Sequence, residues 1–351
     1  MRLRIRALSR QGAWTWLLGR HAHQLPGASH PIAENFSRKT RLFTGTCIVI
    51  GLLTSSYPLA AIADEASEET VRNTRRRSVP LSVMTWNTYE KDENNKEIAD
   101  IVYRAVGDER GIVGVTGFQE MCFDELDDVE RIVEGRSGKE WSSEDSRPYG
   151  DYREDWLGPF DPTCDNGNAI LAARPETLLG PVDRNSFSAQ DSKECEDSGK
   201  PKENGECRSY VRLDVKVGGV WVRTYSTHLT HKSDTVRAAQ IRELTNDIRA
   251  ERFQGPRVVM GDFNASPRSS VLDPMYHLFT DVLGRGDNTP TDDAGPCPSR
   301  GKRIDFIFVS KPIQVRQAYV PRLSDDDNPS DHCPVVAKLR IRVLARANSD
   351  V

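Results

Sequence analysis

The feature that most constrains the fold of this chain is a series of short apolar runs, each stopping at a residue equipped for chemistry. Leu81 to Trp86 ends at Asn87, and Gly111 to Phe118 ends at Gln119-Glu120. Val222 to Tyr225 leads into Thr227-His228-Leu229, and Pro256 to Met260 leads into Gly261-Asp262-Phe263-Asn264. Short apolar runs bounded by Gly, Pro and polar residues read as buried strands. Open α/β sheets collect their sites beyond the C-terminal ends of strands, so four such endings in one chain point to one shared site.

The segments between these runs fill in the architecture. Asn95 to Val106 carries Ile98, Ile101, Val102 and Ala105 at helical spacing, Phe123 to Val133 is a further helix candidate, and Thr235 to Arg252 is amphipathic through Val236, Ala239, Ile241, Leu244 and Ile248. Gly167 to Ala172 and Val335 to Val343 return to strand. Tyr210 to Val217 and the run to Tyr225 alternate about Gly218-Gly219, which predicts a β-hairpin with a primed turn. Ser137 to Asn166 is polar and rich in Gly, Pro and Asp, and reads as a long surface loop. Strands, helices and hairpins in this order imply an α/β (α+β) fold in which two mixed β-sheets pack face to face with helices outside, a four-layer sandwich in one domain.

A second chemical stretch, Pro329-Ser330-Asp331-His332-Cys333-Pro334-Val335, sets a carboxylate beside an imidazole just before the last strand. In Arg303-Ile304-Asp305-Phe306, a carboxylate sits in an apolar run, where it is costly unless paired, so Asp305 needs a partner and His332 is the natural one. Phosphodiester hydrolysis at neutral pH needs a cation for the non-bridging oxygens, a base or oriented water, and a donor for developing charge. Glu120 is the prime ligand for a hard cation such as Mg²⁺, with Mn²⁺ as a substitute, Asn87 orients Glu120 or a bound water, and Asp331 adds a second carboxylate. Asp262 and Asn264 lie two apart, so in an extended segment both face one side; an Asx turn after the strand is the plainer alternative.

Taken in order, Trp86-Asn87, Gln119-Glu120, Thr227-His228-Leu229, Gly261-Asp262-Phe263-Asn264, Arg303-Ile304-Asp305-Phe306-Ile307-Phe308 and Ser330-Asp331-His332-Cys333-Pro334-Val335 resemble the endonuclease/exonuclease/phosphatase superfamily, the DNase I-like enzymes, over about Leu81 to Arg342. The resemblance implies the same sandwich fold and gives Asp262 the task of orienting or deprotonating water. It also implies that His228 donates to phosphate, and that Asp305 holds His332 in one tautomer. Where the nucleases of this group carry an Arg near the strand that begins at Gly167, this chain has Asn168, which can donate to phosphate but brings no charge.

The N-terminus reads as a leader. Leu42 to Ala63 is apolar, follows Arg38-Lys39-Thr40-Arg41, and ends in Ala61-Ile62-Ala63, the layout of a secretory signal with a small-x-small cleavage site. A retained anchor over residues 42–63 is the alternative, weakened by Pro58 and Ser55-Ser56. Residues 64–79 read as a disordered linker and 80–345 as the catalytic domain. The first 63 residues carry eight Arg or Lys and one Glu, about +7, which leaves about −11 for the remainder of a chain whose net charge is −4. An acidic protein has no general steering toward a polyanion, so nucleic-acid binding must rest on local basic groups and bound cation. Beyond the leader lie six cysteines, an even count that suggests disulfides in an exported protein, with Cys195 and Cys207 the expected pair across a polar loop.

The expected activity is that of a secreted, Mg²⁺-dependent phosphodiesterase, a nuclease with DNA or RNA as substrate. A sphingomyelinase-like phospholipid phosphodiesterase is the rival enzyme, for which Trp141, Tyr149, Tyr152 and Trp156 are the aromatic residues that could touch bases or head groups. A phosphatase of the same superfamily and an inactive binding module complete the alternatives. Nothing in the sequence calls for an obligate protein partner, and a monomer is expected.

Overall fold

The computed structural model describes residues 77–89, 94–108, 112–145, 166–174, 179–191, 207–293 and 295–343. The leader, most of the linker, and Tyr149, Tyr152, Trp156 and Cys195 lie outside the described residues. Among those described, no helix is long and apolar enough to cross a membrane.

Among the described residues, twelve strands form two six-stranded sheets. The first sheet contains β1 (Arg77–Asn87), β2 (Val113–Cys122), β3 (Glu140–Asp145), β4 (Asn166–Arg174), β11 (Ile313–Tyr319) and β12 (Val335–Val343), in the order β11-β12-β1-β2-β4-β3. The second contains β5 (Leu179–Ser186), β6 (Ser209–Val217), β7 (Val220–His228), β8 (Arg257–Asp262), β9 (Thr280–Asp281) and β10 (Asp305–Val309), in the order β5-β6-β7-β8-β10-β9. Each sheet has one parallel pair at its centre, β1 with β2 and β7 with β8, and antiparallel neighbours outside it. Helices α1 (Asn95–Val102, continued by a π turn over Tyr103–Gly107) and α2 (Phe123–Ser137) cover the first sheet; α3 (Asp234–Ala250) and α4 (Asp273–Leu278) cover the second. The four-layer sandwich expected from the sequence is the fold.

The alternation of side chains explains the layers. Leu81 and Val83 of β1, Val211, Leu213 and Val215 of β6, Val258 and Met260 of β8, Ile307 and Val309 of β10, and Leu339 and Ile341 of β12 point between the sheets. Residues of opposite parity point outward: Met84, Trp86 and Phe118 toward α1 and α2, and Tyr225, Val259, Phe306 and Phe308 toward Ile241, Leu244 and Ile248 of α3. Each such side chain, once buried, contributes roughly 1.5–3 kcal/mol. Ser233 caps α3, its Oγ accepting from the Val236 backbone at 3.3 Å, with Asp234 in the first turn and Arg249 in the last, both favourable to the helix dipole.

The structure differs from the sequence reading in three places. Strand β1 starts at Arg77, inside the expected linker, because Arg77 to Val79 pair with Val343 to Ile341. The expected loop from Ser137 contains the edge strand β3, and Trp141 is buried at 2 % exposure with its Nε1 donating to Ser137 Oγ at 2.9 Å, so it is not available to bases or head groups. Strands β5, β9 and β11 and helix α4 have sequence patterns too short or too polar to read. The hairpin at Gly218-Gly219 is as expected, both glycines taking the positive φ of a primed turn, 55° and 88°.

Cys297 and Cys333 form a disulfide, with Cα atoms 5.6 Å apart, and Cys122 and Cys207 are also disulfide-bonded. The Cys297–Cys333 bridge was not expected from the sequence; the expected partner of Cys207, Cys195, lies outside the described residues.

Candidate active site

The site grows out of the same alternation that makes the core. Asn87, His228, Asp262 and Asp305 continue the parity of Val83, Val222, Met260 and Ile307, so they face the space between the sheets at one end of the sandwich. Asn87, His228 and Asp262 are the last residues of β1, β7 and β8. Asp305 is the first residue of β10, but β10 is antiparallel to β8 and pairs Asp305 with Asp262, so the start of one strand meets the end of the other. The same inversion brings in His332: the first residue of β12, Val335, pairs with Thr85 near the end of β1. Beneath this rim the inter-sheet space turns polar, with Thr85 Oγ1 donating to Gln119 Oε1 at 3.3 Å and Gln119 Nε2 to Ser226 Oγ at 3.0 Å.

Residues 330–332 are fastened to β1. Ser330 Oγ donates to the Asn87 carbonyl at 2.6 Å and accepts from the His332 backbone at 2.9 Å, while Trp86 Nε1 donates to the His332 carbonyl at 3.0 Å. Asn87 then organises the entrance. Its Oδ1 accepts from the Tyr89 backbone at 3.0 Å, which turns Nδ2 toward Glu120 Oε1 at 2.9 Å and Asp262 Oδ2 at 3.4 Å. Three non-glycine residues here hold a left-handed backbone, Tyr89 at φ 57°, Glu120 at 51° and Asn264 at 49°; each costs on the order of 1 kcal/mol and is held by its surroundings.

Two imidazoles flank Asp262. His332 Nδ1 lies 2.9 Å from Asp305 Oδ2, and its Nε2 lies 3.9 Å from Asp262 Oδ2. Burial alone pushes the His332 pKa down, but the facing Asp305 carboxylate, helped by Asp262 and Asp331, outweighs it and takes the group up to about 10. His332 is therefore an imidazolium at neutral pH, held in one orientation by Asp305. Burial raises the Asp305 carboxyl, with the opposing contact from His332. Burial also acts to raise Asp262, yet His228, His332 and the Asn264 backbone N–H hold it well below the usual carboxylate range, so it is ionised.

His228 Nε2 lies 3.3 Å from Asp262 Oδ2 and 3.1 Å from Asn264 Nδ2. Its Nδ1 lies 2.6 Å from Arg208 Nη1. A guanidinium only donates, so Nδ1 is the acceptor and the proton sits on Nε2, facing the site. Arg208 is 6 % exposed and its backbone is clamped by Gln190, which accepts from the Arg208 N–H at 2.9 Å and donates to its carbonyl at 2.7 Å.

The sequence-predicted residues thus divide clearly. Asn87, Glu120, His228, Asp262, Asn264, Asp305 and His332 are brought together, with Glu120 Oε1 3.6 Å from His228 Nδ1. Asp331 is next to the site and acts on His332 through its charge. Asn264 reaches Asp262 by the turn, not by extension: its backbone N–H donates to Asp262 Oδ1 at 2.8 Å, while its Nδ2 lies 3.3 Å from Oδ2 and donates to the Leu229 carbonyl at 2.9 Å. Asn168 departs from the expectation. It is buried and its Nδ2 donates to the carbonyl and Oγ of Ser209, at 2.9 and 3.0 Å, tying one sheet to the other instead of being offered to phosphate. Arg208, behind His228, is a residue that the sequence reading missed because it precedes a strand; the usable signal was its place just before β6, whose start lies beside the end of β7.

Two donor sets could receive a cation. Asp262, Asp305 and His332 have ligand atoms within 4.8 Å of one another, but there His332 carries a proton and a positive charge, which disfavour it as a ligand. Glu120 is the better fit to a hard ion, since it offers carboxylate oxygen, is oriented by Asn87 Nδ2 at 2.9 Å, and its side chain is 20 % exposed, leaving room for retained water.

The endonuclease/exonuclease/phosphatase family model matches residues 84–332, from β1 through His332. The chain belongs to that family. It is a hydrolase of phosphate esters, in a family that uses divalent metal ions. Among solved structures, an endonuclease/exonuclease/phosphatase family protein from Bacteroides thetaiotaomicron is 18 % identical with a TM-score of 0.55, the match covering 76 % of this chain and 100 % of that one. A mannosyl-6-phosphatase from the same species is 17 % identical with a TM-score of 0.53 over 74 % and 99 %. The human Nocturnin catalytic domain, solved with a bound sulfate anion, is 18 % identical with a TM-score of 0.52 over 75 % and 97 %. At these identities the likeness is one of fold. No curated protein matches the chain in sequence.

Proposed function

We propose that this family member is an exported, Mg²⁺-dependent phosphodiesterase that cleaves nucleic acid, with Mn²⁺ able to replace Mg²⁺. The observation that carries the reading is the ionised Asp262 set between two imidazoles, with His228 Nε2 at 3.3 Å and His332 Nε2 at 3.9 Å. Asp262 orients the attacking water and takes its proton. His332, kept charged by Asp305, and His228, whose tautomer Arg208 sets, present N–H groups to the phosphoryl oxygens as negative charge builds. Asn264 holds the Asp262 carboxylate in place through its backbone N–H and Nδ2. Glu120 and Asp331 would hold the cation, with Asn87 Nδ2 orienting Glu120, and the ion's contribution is to neutralise the non-bridging oxygens and lower the pKa of a bound water.

Nucleic acid is favoured over a membrane lipid because Tyr89, 45 % exposed, is the one large hydrophobic side chain exposed among the described residues, too little for an apolar hairpin that enters a bilayer. Tyr89 follows Asn87 and Thr88 at the site's edge, where an aromatic ring can stack on a base. The family also contains phosphatases, one among the structures of similar fold. A panel of plasmid DNA, RNA, sphingomyelin and a bis-aryl phosphodiester, each with Mg²⁺ and with excess chelator, tests the reading. Hydrolysis of DNA or RNA that chelator abolishes and Mg²⁺ restores is expected; cleavage of sphingomyelin alone, or full activity in chelator, would overturn it.

A further inference from the structure

We infer that Thr291, in the segment between β9 and β10, is a positioning residue of the site: its hydroxyl donates to Asp305 Oδ1 and locks the carboxylate that holds His332. Thr291 is 0 % exposed, and its hydroxyl oxygen accepts from two backbone N–H groups, Ile304 at 3.1 Å and Asp305 at 3.2 Å. A threonine hydroxyl has two acceptor positions and one proton, so both acceptor positions are filled and the proton still needs an acceptor. Asp305 is also 0 % exposed; its Oδ2 faces His332, and its Oδ1 is a buried acceptor that meets no hydrogen-bond donor. A buried carboxylate oxygen is costly to leave unsatisfied, so the spare proton and the orphan acceptor, on residues already joined by the 3.2 Å backbone contact, belong together. Consistently, the Thr291 hydroxyl is among the groups that oppose the rise burial imposes on the Asp305 carboxyl, after the larger effect of His332.

Thr291 also reaches the other half of the pair. Its carbonyl accepts from the Cys333 backbone at 2.7 Å, the next residue, Asp292, bridges to His332, and its own N–H donates to the Lys302 carbonyl at 2.8 Å. One buried residue therefore touches Asp305 through its side chain and the His332 loop through its backbone. Buried from solvent, it acts through Asp305 on the orientation of His332.

The inference rests on the reading of Asp305 and His332 as catalytic groups, and its test separates the two. In the full chain with Mg²⁺ and bis(p-nitrophenyl) phosphate, Thr291→Val removes the proton while keeping the shape, and Thr291→Ser keeps the proton. Loss of such a supporting contact is expected to lower kcat roughly 10- to 100-fold with KM within about twofold, while Thr291→Ser stays within about threefold of the parent. Because Thr291 works through Asp305, adding Thr291→Val to Asp305→Asn should cost little more than Asp305→Asn alone. Normal turnover in Thr291→Val, equal loss in the Val and Ser variants, or multiplying losses in the double variant would each overturn the inference. Should His332→Ala be fully active, it is the functional reading that fails. Thr291→Val also strips two backbone N–H groups of their acceptor and could fail to fold, so a neutron structure of the parent protein supplies an independent measurement. A deuteron on Thr291 Oγ1 directed at Asp305 Oδ1 supports the inference, and one directed elsewhere overturns it.

Discussion

Breaking the Cys297–Cys333 bridge should destabilise the domain by about 4 kcal/mol. Its half-cystines are 36 residues apart in sequence, and closing a loop of that length in the unfolded chain removes about 13 cal/mol/K of entropy, or about 4 kcal/mol at 25 °C. Cys122 and Cys207 both precede residue 297, so the other bridged positions do not shorten this loop. Both half-cystines are buried, Cys297 at 4 % and Cys333 at 0 %, so Cys297→Ala with Cys333→Ala avoids burying new hydroxyls. Urea or guanidinium titration of the double variant against the parent, at unchanged m, measures the loss; for a domain of this size it corresponds to a fall of roughly 8 °C or more in Tm. Because Cys333 adjoins His332, the variant should also turn over more slowly at a temperature where it is fully folded, with KM little altered. A loss below about 1 kcal/mol would show that the backbone contacts between Thr291 and Cys333 hold the two segments together without the bridge, and that the loop-closure reasoning is wrong here.

Three further outcomes are expected. His332→Ala and Asp262→Ala should each lower kcat by roughly two to four orders of magnitude, measured at a temperature where the variants are folded; a folded fraction that keeps normal turnover would make these residues structural. Gly261→Ala should cost more than about 3 kcal/mol or prevent folding, since at φ 151° its Cβ would stand 1.9 Å from the Thr227 carbonyl oxygen; a circular-dichroism melt within about 2 °C of the parent would refute the close approach of β7 and β8. Burial acts to raise Glu251, but hydrogen bonds from Tyr225, Arg223 and Arg212 outweigh it and hold its pKa below the usual value, so its contribution is complete above about pH 4.5 and is lost as pH falls through the lower folded value. Glu251→Gln should therefore cost roughly 3 kcal/mol at pH 7, a gap to the parent that narrows below pH 4 in urea titrations; a gap independent of pH would rule out the carboxylate charge as its source.

The extent to which this protein could be read from its sequence follows from the range of each interaction. Alternation is local, so Val79 to Asn87, Val222 to His228 and Val258 to Asp262 announce both the inter-sheet core and the side chains that continue its parity to the rim. The cost of a buried charge is also general, so Asp305 in an apolar run requires a partner before any coordinates are seen, and His332 is found there at 2.9 Å. Tertiary structure alone decided what depends on which strands become neighbours. Antiparallel pairing places the starts of β6, β10 and β12 beside the ends of β7, β8 and β1, which is how Arg208, Asp305 and His332 join residues that lie far from them in sequence. It buries Trp141 under α2, turns Asn168 toward Ser209 across the two sheets, and joins Cys297 to Cys333. None of these leaves a local trace, because a side chain's own neighbours in sequence do not determine which distant backbone will meet it.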